Sequence, residues 1–333
     1  MADSHESSHS CCAPSNWNLH SPSADLYLNA ALCVNKASHE KQEQLRAHLV
    51  PINGGFFEMG ARTTRFPIDL DSPRRRLKVP PFLISPTTVS NQEYADFVSH
   101  TGYRTVAEQE GWSFVFYLLL QDPNRWQESP PGLPWWRKVD GAYWGCPEGP
   151  DSNTEDRLDH PATHLCWYDA VAYCLWAGLR LPYEAEWEYA ARGGLTNKKF
   201  PWGSTMHTAE NFLMNTWQGD FPVENTAEDG YVGTAPVTSF PPNGFGLFNM
   251  TGNVWEWVDA SHGELPRQFI RPDQPFASAL DQQPKVQRGG SYLCHESYCD
   301  RYHVHSRSCN DMDSSTGNCG FRTAADLETT TKS

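Results

Sequence analysis

Two cysteines set five positions apart, Cys294 and Cys299, are the residues in this chain best suited to chemistry. They lie in Arg288-Gly289-Gly290-Ser291-Tyr292-Leu293-Cys294-His295-Glu296-Ser297-Tyr298-Cys299, where a turn can bring two thiols face to face. Such a pair can close a disulfide, hold a soft metal as thiolates, or be two unrelated core thiols. Without a third ligand the fitting ion is Cu(I), which accepts low coordination, whereas zinc asks for four donors. The chain has ten cysteines, and none falls in a CxxC pair or a zinc-finger spacing.

A second group of residues offers hard oxygen donors. Asn215 and Thr216, with Asp229 and Tyr231 across a loop, could supply oxygens to one Ca²⁺; Asn249, Gly252, Val254 and Glu256 could do so for another. Calcium tolerates such irregular sets of amide, carboxylate and carbonyl oxygens, although neither set follows the EF-hand loop. His303 and His305 alternate and would share one face of a strand, but as a metal pair they lack a third ligand. The tail offers His5, His9, Cys11 and Cys12, a soft-metal cluster on a segment expected to lack structure. Ser-His-Asp order, a helical HExxH, GxGxxG and Walker loops are all missing, which excludes the usual hydrolase and nucleotide-binding readings.

These residues need a frame rich in turns. The 333 residues include 24 Gly and 25 Pro, with 13% aromatic and only 20% charged residues, which predicts a folded, aromatic-rich protein of short elements. Lys+Arg 26 against Asp+Glu 40 leaves a net charge of -14, the wrong sign for gripping nucleic acid. The longest apolar run, 114–120, is too short to span a membrane. The polar start, with no basic or apolar leader region, predicts a cytoplasmic chain with reduced thiols. Residues 50–60 read as two short strands around the Asn53-Gly54 turn. Ser90 and Glu93 make a capping box for a helix stopped by Gly102, and further helices are expected over Trp167–Ala177, over 183–192 and, short and polar, over 38–46. The segment 121–160 reads as a surface excursion, and 215–236 as a long irregular loop of the kind that is functional or tied down by ligands. The expected division is an N-terminal extension, partly disordered, over 1–45, one domain over 46–328 and a tail over 329–333.

Several segments together resemble one family, the formylglycine-generating enzymes or sulfatase-modifying factors. They are Asn53-Gly54-Gly55-Phe56-Phe57-Glu58-Met59-Gly60, Leu181-Pro182-Tyr183-Glu184-Ala185-Glu186-Trp187-Glu188-Tyr189-Ala190-Ala191-Arg192-Gly193-Gly194, Phe200-Pro201-Trp202-Gly203, Asn243-Gly244-Phe245-Gly246-Leu247, Gly252-Asn253-Val254-Trp255-Glu256-Trp257, the cysteine segment, and Gly320-Phe321-Arg322. The early pieces are shared with non-catalytic relatives, whereas the cysteine segment resembles that of the oxidases. The resemblance implies an α+β fold, a single compact irregular domain related to C-type lectins, low in regular secondary structure and stabilised by calcium. It implies an oxidase that uses O₂ and a thiol reductant to turn the cysteine of a Cys-x-Pro-x-Arg motif in an unfolded sulfatase into Cα-formylglycine.

Carried over by position, Cys294 and Cys299 would hold Cu(I), with the substrate thiolate as a third ligand. Ser291 would stand by the oxygen pocket, Trp255 would floor it, and Tyr298 and His295 would contact substrate. The first Ca²⁺ would take Asn215, Thr216, Asp229 and Tyr231, and the second Asn249, Gly252, Val254 and Glu256. A monomer is expected, with no nucleic-acid or membrane partner. Three departures stand out. Tyr183 replaces the Thr that would cap the next helix, at a cost of ~1 kcal/mol. His303-Val304-His305-Ser306 replaces an Arg and small residues, which predicts an altered substrate groove. Ala191, Val304 and Thr323 replace structural cysteines of secreted relatives, so Cys174 loses its partner and Cys309 and Cys319 are left to pair or not. The competing reading is a catalytically silent, lectin-like binding module, whose relatives usually lack the cysteine pair.

Overall fold

The computed structural model describes Pro14 and residues 24–208 and 211–327; the tail histidines and cysteines singled out above lie outside them. Helices form where the sequence carries both a start and a stop. Over Asn91–Thr101 the Ser90 hydroxyl accepts the Glu93 N–H, the Glu93 carboxylate accepts the Ser90 N–H at 2.8 Å, and Gly102 ends the helix in the left-handed region at φ 63°. Trp167–Ala177 stops in the same way at Gly178 and is buried on nearly every side, as befits a helix through the centre of a core. The next helix is Glu184–Ala191, shorter than expected. Half of its capping box survives, since Glu186 still accepts the Tyr183 N–H at 3.0 Å. The Tyr183 ring instead lies against the Arg180 guanidinium, 4.4 Å away. The expected polar helix is His39–Ala47, and before it Ala24–Leu32 buries Tyr27 and Ala31, with Tyr27 beside Tyr168 of the central helix.

Among the described residues, five small sheets replace any large one. The chief sheet has four strands in the order Arg307–Asn310, Lys285–Arg288, Trp255–Ser261, Cys319–Phe321, and only the last pair is parallel. A three-stranded sheet sets Phe82–Ile84 between Val50–Ile52 and Ala324–Asp326. The two strands flanking Asn53-Gly54 exist, but they do not pair with each other. Gly55–Met59 pairs with Arg75–Val79 while Val50–Ile52 pairs with Phe82–Ile84. Gly54 is why the chain can change partner there, for a Cβ at this residue would stand 2.3 Å from the Val79 carbonyl oxygen.

The segment 121–160 is more than a surface excursion. Its strand Trp136–Asp140 pairs with Trp112–Phe116 and buries Trp136 and Val139, two apolar residues three apart that outweigh the surrounding acidic run. His303 and His305 do share a face, with rings stacked 5.4 Å apart, but on a turn; the strand begins only at Arg307. Cys309 and Cys319 are both free thiols, on strands at opposite edges of the chief sheet. Two strands intervene, and at ~4.8 Å per strand the gap far exceeds disulfide reach.

Candidate active site

The cysteine segment leaves strand Lys285–Arg288 through Gly289 and Gly290, both at positive φ. Gly290 is required there, because a Cβ would meet the Arg301 carbonyl oxygen at 2.7 Å. The chain then turns twice. The Ser291 carbonyl accepts the Cys294 N–H at 2.9 Å, and the His295 carbonyl accepts three amides in succession, Tyr298, Cys299 and Asp300, at 3.1, 2.9 and 3.0 Å. This second turn folds Cys299 back on Cys294. Their sulfurs converge to 2.7 Å, with both residues buried, in the same core cluster as Trp255 and Tyr302.

One contact within the turn and four from other segments hold it in place. The Ser291 N–H points at Cys294 Sγ from 3.4 Å, and the Ser291 hydroxyl is fixed by Asn318 Nδ2 at 3.1 Å. The Trp217 N–H donates to the Cys294 carbonyl at 3.2 Å. Arg301 donates to both oxygens of Asp69 at 2.6 and 2.9 Å while its guanidinium lies 3.9 Å from the Phe66 ring, a buried anchor just past Cys299. Arg65, exposed, reaches the Glu296 carbonyl at 3.1 Å and pairs with Asp300. Burial, with Asp300 adding to it, pushes the Tyr302 phenol far above its ordinary range.

Of the expected substrate contacts, Tyr298 leaves the turn and stacks on Phe221 at 4.3 Å, with Trp135 edge-on at 5.0 Å. His295 is half-buried and bonds through Nδ1 to Ser297, within its own turn. The indole N–H of Trp255 has no partner among the described residues, so this ring is oriented by packing alone. Asn318, Trp217, Arg301 and Asp69 are not legible as site residues, although Gly320-Phe321-Arg322 lies just past Asn318 and Arg301 opens the segment that follows the cysteines.

The two sets of oxygen donors meet in space. The Asn215 carbonyl accepts the Asn253 N–H at 2.8 Å, and a Cβ on Gly252 would lie 2.4 Å from that carbonyl oxygen. Asn253 locks both loops, accepting from Asn215 Nδ2 at 3.2 Å and from Ala235 N at 2.9 Å. Asn215 Oδ1 and Asn249 Oδ1 are both buried with no hydrogen-bond partner among the described residues, which is costly for an amide oxygen unless a cation takes it. Asp229 spends its carboxylate on the N–H groups of Thr216 and Tyr231 and on Gln218, and burial lifts its pKa. Glu256 accepts from Arg322 at 2.6 and 2.7 Å and from the Trp187 indole at 2.7 Å, so a cation bound there would share it with Arg322. Among the described residues no three His, Cys, Asp or Glu side chains gather as a metal cage, so each set depends on amide and carbonyl oxygens as well. Nor, among those residues, is any helix long and apolar enough to cross a membrane.

Similarity to known proteins agrees with this geometry. The family of sulfatase-modifying factor enzyme 1-like domains matches residues 35–327. The chain is 48% identical over 292 residues to a formylglycine-generating enzyme of Thermomonospora curvata, covering 85% of this chain and 95% of that one. The Bos taurus formylglycine-generating enzyme is also 48% identical, covering 85% of this chain and 76% of the relative. An inactive C-alpha-formylglycine-generating enzyme 2 of Bos taurus is 40% identical, covering 84% and 88%. The fold matches the solved structure of PvdO from Pseudomonas aeruginosa with a TM-score of 0.57 at 23% identity, over 84% of this chain and 94% of that one. This chain belongs to the sulfatase-modifying factor enzyme 1-like family.

Proposed function

We propose that this protein is a formylglycine-generating oxidase that acts on a cysteine in a Cys-x-Pro-x-Arg motif of unfolded sulfatase polypeptide. The observation that carries this reading is the buried turn that sets Cys294 and Cys299 sulfur to sulfur. The overall change removes sulfur from the substrate side chain: R–CH₂–SH, O₂ and two reducing equivalents from thiols yield R–CHO, H₂S and water. Both C–S electrons and hydrogens are accounted for, since O₂ accepts four electrons, two from the substrate carbon and two from the external thiols.

A pair of soft sulfur donors fits Cu(I), which accepts low coordination. Cys294 and Cys299 would hold it, and the metal would supply O₂ activation beside the substrate. The chain's own residues do the rest. The Ser291 N–H, aimed at Cys294 Sγ, favours the thiolate, as does any donor to a charged form. Trp255 keeps the floor apolar and water out. Tyr298, held between Phe221 and Trp135, presents an aromatic rim for the substrate backbone, and His295 stands half-buried on the turn between the two cysteines. Two Ca²⁺ ions, one on Asn215, Thr216, Asp229 and Tyr231 and one on Asn249, Gly252, Val254 and Glu256, would fasten the loops that carry Trp217 and Trp255 to the turn.

Mass spectrometry of a Cys-x-Pro-x-Arg peptide, after incubation with copper-loaded protein, O₂ and a thiol, tests the reading. Conversion to the aldehyde should be lost in Cys294→Ala and in Cys299→Ala. Equal conversion by wild type and both variants would sink it.

A further inference from the structure

One face beside the cysteine turn carries the opposite charge from the molecule as a whole. The chain has a net charge of -14. Yet of two adjoining cavities, of about 340 and 350 Å³ with Asn197 lining both, the larger is ringed by cations. The cavity nearer the turn is lined by Asp300 and Arg301, the residues directly after Cys299, and its rim carries Arg62, Arg74, Lys198 and Lys199. Its acidic residues are largely committed: Asp69 to Arg301, and Asp300 to Arg65. Only Asp71 remains to set against four rim cations, none of which has a carboxylate within ion-pairing distance among the described residues.

The other cavity is of mixed charge, lined by Glu58 and by Arg192, which is paired with Glu188. It adds Arg76 and an exposed Phe56, over whose ring the Arg76 guanidinium stands at 4.9 Å and Lys78 at 5.8 Å. Neighbouring groups respond to this field. Burial first, then Arg192 and Arg62, push the Arg74 pKa down against Glu58 and Glu188; burial also lowers His303, with Asp300 opposing and Lys199 and Arg65 adding to it. Unpaired like charges kept around a cleft concentrate counter-ions of the other sign. A duplex phosphate backbone would meet the acidic remainder of the surface, whereas an extended acidic peptide can lie in the cleft alone.

We propose that this cationic cleft binds an acidic segment of the polypeptide substrate, flanking the reacting cysteine, with its carboxylates against Arg62, Arg74, Lys198 and Lys199. The inference rests on the oxidase reading but is tested separately from it. Two peptides would share one Cys-x-Pro-x-Arg centre, one flanked by Asp and Glu, the other by Ser. A third, fluorescent peptide would carry the acidic flank without the motif. With wild type at low salt, the acidic substrate should have a KM about tenfold below the serine one at equal kcat, the effect of a few exposed charge contacts. The advantage should vanish in Lys198→Glu/Lys199→Glu and at about 0.5 M salt, while the serine peptide's kinetics stay put. Fluorescence anisotropy should show the acidic flank alone binding wild type at least about tenfold more tightly than the variant. Equal KM values in wild type with no binding of the flank would overturn the proposal. So would an equal loss for both substrates in the variant, or binding of duplex oligonucleotide or anionic vesicles in preference to the acidic peptide. If neither substrate is converted, the oxidase reading fails, and anisotropy still decides whether the cleft takes acidic peptide.

Discussion

Replacing Arg322 with leucine removes the only cation that neutralises Glu256 among the described residues. Arg322 is fully buried and donates to both Glu256 oxygens, to the carbonyls of Ser85 and Pro86 at 3.2 Å each, and to that of Phe248 at 3.0 Å. It therefore joins the chief sheet, the turn after Phe82–Ile84 and the loop before Asn249. Breaking a buried pair by deleting one partner costs ~3–5 kcal/mol, because the remaining charge is stranded in a low-dielectric setting. At ~2.1 cal/mol/K of unfolding entropy per residue this corresponds to a fall in Tm of about 4–7 °C for a chain of this length. Thermal unfolding of Arg322→Leu, Glu256→Gln and the double variant measures it as a cycle. The double variant should be distinctly less destabilised than the sum of the singles, since it removes the stranded charge. If the two single effects add to within ~0.5 kcal/mol, the reasoning fails. Repeating the cycle with calcium present asks whether a bound cation can stand in for the lost guanidinium.

Other expectations concern the turn, the loops and the response to acid. Gly290→Ala forces a Cβ against the Arg301 carbonyl at a backbone φ of 76°, and should lower peptide conversion at least about tenfold along with thermal stability; wild-type turnover would show that the turn tolerates displacement. Chelation should lower the melting temperature by several degrees, restored by Ca²⁺ and not by Mg²⁺, since saturation to about 100 times Kd is worth ~2.7 kcal/mol; a midpoint indifferent to chelator would leave the orphaned oxygens of Asn215 and Asn249 without a cation. His164 and His305 are held down at about 3, chiefly by burial, against an ordinary value of 6.5. The unfolded chain then takes up protons that the folded one refuses, so stability is full above about pH 6.5 and declines as the pH falls towards 3. Each histidine contributes about 2 kcal/mol of loss between pH 7 and pH 5. Urea titrations of His164→Gln at those two pH values should show a correspondingly shallower decline, and a slope unchanged from wild type would argue that His164 is charged in the fold.

Local signals in the sequence translated well. The Ser90–Glu93 box, Gly102 and Gly178 act within a few residues of themselves, and so does the turn that closes Cys294 on Cys299. What failed depended on remote partners. Nothing near Asn53-Gly54 says that Val50–Ile52 will choose Phe82–Ile84, more than two dozen residues on. Nor does the polar run after residue 120 betray that Trp136 will be buried by pairing with Phe116. The site divides along the same line. The thiols were legible as a pair, whereas Asn318, Trp217 and the Arg301–Asp69 anchor act on them from distant segments. Glu256 reads as an oxygen donor, but its partner Arg322 stands out only within Gly320-Phe321-Arg322, with no hint that the two meet.

The three-stranded sheet bears on how the molecule can be made. Ala324–Asp326, almost the last described residues, completes a sheet begun by Val50–Ile52, and both flank Phe82–Ile84. During synthesis the Phe82–Ile84 strand must wait, one edge unpaired, until Ala324–Asp326, about 240 residues later, has left the ribosome. Until then that edge is open to pairing with another nascent chain. The same arrangement brings the two ends of the domain to within two strand spacings, ~10 Å, of each other. A short linker could join them, and a break could then be placed in an exposed loop to give a circular permutant whose first sheet closes early in translation.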